Sequence, residues 1–84
     1  MVGIAAQVSL YPLGQADLGP AIDEALRILQ EYGLDVHPGS MSSVVVGEEA
    51  VLFTALQQAF HRAAERGPVV MVITLSNACP VPAK

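Results

Sequence analysis

The chain has 84 residues, 52% of them hydrophobic and 14% charged, with a net charge of −4. That length sets a single domain, residues 1–84, with so little volume per unit of surface that a lone core is marginal. The four basic residues, Arg27, Arg62, Arg66 and Lys84, do not cluster along the chain, which argues against a phosphate backbone and therefore against nucleic acid as a partner.

The single cysteine, Cys79, excludes an intrachain disulfide, and no Cys/His cluster offers a structural zinc site. A small chain this apolar, with no covalent staple, is expected to hide part of its surface against copies of itself, as a homodimer or homotetramer. The N-terminal stretch lacks a basic region and a long apolar run, so no signal peptide is predicted. No window approaches the ~20 apolar residues of a spanning helix. The expectation is a cytoplasmic protein with no membrane insertion.

Residues 2–13 read as a strand, because Ala6, Val8 and Leu10 alternate with Gln7, Ser9 and Tyr11. Pro12 and Gly14 end it. Asp17 then caps a helix, with Pro20 near its first turn. Leu18, Ile22, Ala25, Leu29 and Tyr32 recur at helical spacing and predict its buried face. Asp23, Glu24, Arg27 and Glu31 fall on the solvated side, and Gly33 terminates the helix.

Residues 34–37 and 41–46 are short extended runs around Pro38-Gly39-Ser40, a hairpin pattern that Gly47 interrupts. Glu48 and Glu49 place negative charge at the start of a second helix, where the dipole favours it. Leu52, Ala55, Leu56, Ala59, Phe60 and Ala63 form its apolar stripe, and Gly67-Pro68 stops it. Residues 69–75 are the most apolar strand, greasy on both alternating sets. That pattern predicts a sheet covered on both faces, by two helices on one side and something else on the other. Residues 79–84 read as an irregular tail.

This element order, with right-handed crossovers, predicts an α+β fold. It is a ferredoxin-like β-α-β-β-α-β sandwich: a four-stranded antiparallel sheet in the order 4-1-3-2, with two helices on one face.

Three stretches then stand out: Ser9-Leu10-Tyr11-Pro12-Leu13-Gly14, Gly39-Ser40-Met41-Ser42-Ser43 and Ser76-Asn77-Ala78-Cys79-Pro80. In order and spacing the chain resembles the YkoF-like family of thiamine- and hydroxymethylpyrimidine-binding proteins, from about Ala6 to Pro80. Ser43 stands where members of that family often carry Thr, which keeps the hydroxyl and loses a methyl. The resemblance implies a ferredoxin-like fold, assembly into dimers or tetramers, and a non-enzymatic binding role linked to thiamine supply or transport. Thiamine or its hydroxymethylpyrimidine moiety is the implied ligand, with no other cofactor.

The candidate ligand-binding residues are Ser9, Tyr11, Met41, Ser43 and Asn77. Ser9 and Tyr11 share a strand face with Gln7, which is either a solvated polar edge or a ligand wall offering hydroxyls and a stacking ring. Asn77 is either a strand-ending turn residue or a carboxamide matched to the amino group and ring nitrogen of an aminopyrimidine. Ser42 and Ser43 alternate, so only one can face a given pocket. Ser43 is the choice because the resemblance marks its position. Met41 is a gap-filler that could flank a flat ring.

The expected pocket lies between the open sheet face and loop residues, completed by a neighbouring protomer. His37, His61 and Cys79 make neither a metal site nor a nucleophile–base pair. The caps and solvated face account for Asp17, Asp23 and Glu24 without acid–base chemistry. Asp35 is the carboxylate best suited to a cationic thiazolium ring. The alternative function is an oligomeric regulatory or assembly module without a small-molecule ligand. A small enzyme would need a base, nucleophile or metal that these residues do not assemble.

Overall fold

Period-two alternation builds the first strand, β1 (Gly3–Pro12), in the computed structural model of the chain, which describes residues 3–14, 17–39 and 42–78. Its even-numbered side chains Ile4, Ala6 and Val8 are buried, while Gln7 and Tyr11 point away and are exposed. The cap expected at Asp17 falls instead at Leu18, which makes no side-chain cap bond, and Asp17 Oδ1 accepts the Gly19 N–H at 3.1 Å at the first residue of α1 (Gly19–Glu31). The helix ends where Gly33 adopts φ +81° and donates its N–H to the Gln30 carbonyl at 2.9 Å. Then come β2 (Asp35–Pro38), β3 (Ser43–Glu48), α2 (Glu49–Glu65) and β4 (Val69–Ser76).

The strands form one sheet in the order β2-β3-β1-β4, antiparallel throughout, and both helices lie on one face of it. This is the ferredoxin-like arrangement expected from the element order. The core sits where the two helices meet the central strands. Leu29 from α1, Leu52 from α2 and Val45 from β3 are its largest fully buried side chains. Val45 lies opposite Ala6, and this pairing brings the apolar rows of β3 and β1 together under the helices.

Three further local outcomes differ from the sequence reading. Gly47 does not interrupt the hairpin: β3 continues through it to Glu48, with Gly47 opposite Ile4. Its lack of a side chain makes room instead, because a Cβ there would collide with the Leu34 side chain. On α1 the buried face is Ala21, Ala25, Ile28 and Leu29, so it turns away from Leu18 and Tyr32, which are exposed. On α2, Phe60 lies outside the buried stripe.

β4 is the outermost strand, where the order 4-1-3-2 places it, and much of its apolar surface is exposed on the single chain. A continuous apolar run can mark a central buried strand or an edge waiting for a partner, and periodicity alone does not separate them.

Leu34 is itself a core residue, so filling the space it occupies should be felt throughout the sheet. Gly47→Ala is expected to cost about 1–3 kcal/mol, the usual range for overpacking. It should appear as a lower urea midpoint with an unchanged slope. An unchanged midpoint would mean that Leu34 swings aside freely.

Candidate functional site

The register of β3 decides which serine faces the helices. Ser43 pairs with Val8, whose side chain is buried beneath the helices, so Ser43 shares that side with Val45 and Gly47. Ser42 falls on the opposite face, where its Oγ accepts a hydrogen bond from Gln7 Nε2 at 2.9 Å. Above Ser43 the packing is incomplete. Small side chains at Ala25 and Ala59 leave a cavity of about 120 Å³ between α1 and the sheet. Leu10, Ile22, Leu26, Leu29 and Met71 give it apolar walls, and Pro38, Gly39 and Ser42 stand at its β2–β3 side.

Ser43 is the one buried polar residue among those described, with 9% of its surface exposed. Among the described residues none hydrogen-bonds its hydroxyl. A buried hydroxyl left without a partner costs about 1–3 kcal/mol. Among the described residues the cavity wall therefore carries a buried hydroxyl with unused bonding capacity in mainly apolar surroundings, bordered also by Ser9 and Ser42.

The other expected site residues are distributed as follows. Ser9 contributes to the cavity wall from within β1, but alternation directs its side chain to the open face, opposite Val72. Tyr11 lies on that same open face, opposite Val70, and is exposed. Asn77 follows the far end of β4, where Ser76 pairs with Ala5, and shares a shallow depression with Ile4, Glu49 and Phe53. That end lies roughly 10–13 Å along β1 from Ser43's partner Val8. Met41 and Cys79 lie outside the described residues.

One subunit thus brings Ser9 and Ser43 to one cavity, and leaves Tyr11 and Asn77 elsewhere. The cavity itself lies on the helix side of the sheet rather than over the open face. Helical spacing places Ala25 and Ala59 in buried stripes, but it does not show that two alanines over one serine leave a hole. Small residues inside both stripes were the available signal.

A charged cluster fixes the helices that roof this cavity. Glu24 on α1 accepts Arg62 Nη2 at 2.8 Å and Arg66 Nη2 at 3.2 Å from α2, and Arg27 stands 3.6 Å away. Read from spacing as part of a solvated face, Glu24 instead keeps only 14% of its side chain exposed. The Arg66 hydrogen bond, reinforced by the charges of Arg62, Arg66 and Arg27, lowers the Glu24 pKa against the opposing pull of desolvation.

Elsewhere, His37 Nε2 lies 3.0 Å from Asp35 Oδ2, and His61 Nε2 lies 3.4 Å from Glu65 Oε2. Among the described residues no group of three or more His, Cys, Asp or Glu side chains could hold a metal ion. No helix among them is long and apolar enough to cross a membrane.

The direction of the Glu24 shift predicts a pH dependence. A carboxyl held below its unfolded pKa adds stability that is fully present above that unfolded value and is lost as pH falls through the folded one. Glu24→Gln should therefore be less stable than the wild type at pH 7. The gap should close on acidification below the ordinary carboxylate range, as followed by urea denaturation at a series of pH values. A gap that persists undiminished at pH 2 would place the effect in packing rather than charge.

The fold recurs in solved structures. A hypothetical protein from Methanocaldococcus jannaschii superposes with a TM-score of 0.84 at 24% identity, covering 90% of this chain and 80% of that one. A domain of unknown function, DUF77, from Bacillus cereus gives 0.80 at 20% identity, covering 96% and 83%. A protein from Thermotoga maritima described as a candidate for thiamine biosynthesis or salvage gives 0.77 at 13% identity, covering 87% and 81%. At these identities the likeness establishes the fold alone. No curated protein matches the chain. Residues 3–82, almost the whole sequence, match the YKOF-related family, and the chain belongs to that family.

Proposed function

We propose that this protein binds a small heteroaromatic molecule without transforming it, taking hydroxymethylpyrimidine or the pyrimidine half of thiamine into the cavity between α1 and the sheet. The observation that carries this reading is the Ser43 hydroxyl, buried in an apolar cavity with no partner among the described residues. A guest that offers a ring nitrogen or amino group would satisfy it.

Size supports one ring. Ligand pockets for drug-sized molecules run to roughly 300–1,000 Å³, whereas this cavity is about 120 Å³. An apolar cavity of about 150 Å³ accepts benzene, so the smaller cavity here takes at most one ring, with its substituents reaching the open mouth. The thiazolium of thiamine would remain at the mouth, where the net charge of −4 mildly favours a cation. Among the described residues the lining has no charged side chain, which disfavours phosphate esters. Membership of the YKOF-related family, and the thiamine-related description of the Thermotoga maritima structure, point to the same ligand class.

Ser9, through the backbone that borders the cavity, and Tyr11, Met41 and Asn77 complete the proposed contacts. Tyr11 and Asn77 would reach the same ligand only from a second subunit, so the working form is a cytoplasmic homodimer or homotetramer. The exposed valines on the open face, Val44, Val70 and Val72, support self-association. They also favour the second reading, a module that assembles without any ligand.

Titration calorimetry with hydroxymethylpyrimidine and with thiamine separates the two readings. Heat is expected with both, and none from either at high protein concentration would leave the assembly module. Ser43→Ala should weaken binding about 2- to 10-fold, the value of one neutral hydrogen bond. It should also leave the empty protein as stable as the wild type or slightly more so, since a stranded hydroxyl is removed. Ala25→Leu should fill the cavity and abolish the heat while the fold persists. Full affinity in that variant would place the ligand elsewhere.

A further inference from the structure

We infer that Gln7, on the open face of the sheet, is a positioning residue for the cavity on the other face. By holding the Ser42 hydroxyl to its own side, it keeps the neighbouring Ser43 hydroxyl turned into the cavity. The inference rests on the ligand reading and adds to it the group that prepares the site for its guest.

Two serines stand side by side where β3 begins, and they are chemically alike. Successive strand residues point to opposite faces, so a shift of one position would exchange them. Nothing in the side chains themselves prefers Ser43 to Ser42 in the cavity. The backbone ladder is also at its limit there. The register of β1 with β3 runs from Gly3 and Glu48 to Val8 and Ser43, while β1 continues to Pro12 against β4. On its other side Ser43 pairs with Pro38, the last residue of β2, which has no N–H to give to the ladder. The strand end that carries the cavity hydroxyl is therefore weakly held by backbone hydrogen bonds.

A side chain supplies the hold. Gln7 Nε2 donates to Ser42 Oγ at 2.9 Å on the open face. Gln7 itself lies opposite Val44, so this bond runs diagonally across the sheet, past the last backbone pair. Its anchor is firm, because β1 is paired on both sides at Gln7, with Val44 and with Thr74. The Ser42 backbone is closely placed as well. A Cβ on Gly39 would come within 2.6 Å of the Ser42 carbonyl oxygen, so the approach of these two cavity-bordering residues needs glycine. With Ser42 tied outward, alternation turns Ser43 inward. Alternation along β1 groups Gln7 with Ser9 and Tyr11 as a possible ligand wall, yet Gln7 acts here through Ser42 and not by touching the guest. The bond lies at the surface, so the expected effect is about 2- to 5-fold, the lower range for one neutral hydrogen bond.

Thiol labelling reads the placement of residue 43 without any ligand. In a Cys79→Ser background, Ser43→Cys puts a thiol in the cavity. Val45→Cys, two residues on and on the same face, puts one in the fully buried core. Adding Gln7→Met should speed labelling of the first by an aromatic disulfide reagent about 2- to 5-fold and leave the second unchanged. Gln7→Glu, whose carboxylate still accepts the Ser42 O–H, should restore the slow rate. With Cys79 retained, Gln7→Met should weaken hydroxymethylpyrimidine about 2- to 5-fold by titration calorimetry. Ser42→Ala should do the same, and the two together should cost no more than either alone. In Ser43→Ala, Gln7→Met should change nothing further, because the hydroxyl it positions is gone.

Equal acceleration at positions 43 and 45 would make Gln7 a general support of the fold and overturns the proposal. So does labelling at position 43 that ignores Gln7→Met, or an affinity loss that survives undiminished in Ser43→Ala. If the wild type gives no ligand heat, the binding reading falls, and the labelling arm still decides whether Gln7 governs where residue 43 points.

Discussion

Two helices have to shield one face of four strands, and this constraint shapes everything else in the molecule. α1 and α2, of 13 and 17 residues, meet over the central strands and bury Leu29, Leu52 and Val45 there. They run short toward the outside of β4, where Ile73 and Leu75 stay exposed. They also fit loosely near Ser43, where alanines occupy positions that larger residues could fill. The cavity and the bare border are both places where the roof fails to close.

The two noteworthy polar groups are handled in opposite ways. Glu24 is surrounded by Arg27, Arg62 and Arg66, all three arginines of the chain, so its charge is answered within the subunit and serves to tie α1 to α2. Ser43 is enclosed by apolar side chains without an answering group among the described residues. The first arrangement holds the roof in place. The second leaves a buried hydroxyl beneath the roof, the group on which the proposed binding of a heteroaromatic ring rests.

Much of the chain was readable residue by residue. Alternation along β1 identifies its inward and outward rows, Gly33 marks the end of α1, and element order gives the sheet topology, while the cap expected at Asp17 lies one residue on at Leu18. The site was less readable. Ser43 was singled out by resemblance, and Ser9 by a strand pattern that gives no indication of which cavity its backbone borders. Tyr11 and Asn77 separate because one lies on the open face and the other at the far end of β4, a distance that spacing in the sequence does not express.

What the sequence by itself determined were the properties set by near neighbours: strand and helix periods, caps, turns and the order of elements. These follow from backbone geometry and from side chains within a few residues of one another. Tertiary structure alone decided that Gly47 clears space for Leu34 and that Glu24 gathers three arginines. Each of these depends on groups distant in the chain arriving at the same place, and a linear pattern of polar and apolar residues does not record which surfaces will meet.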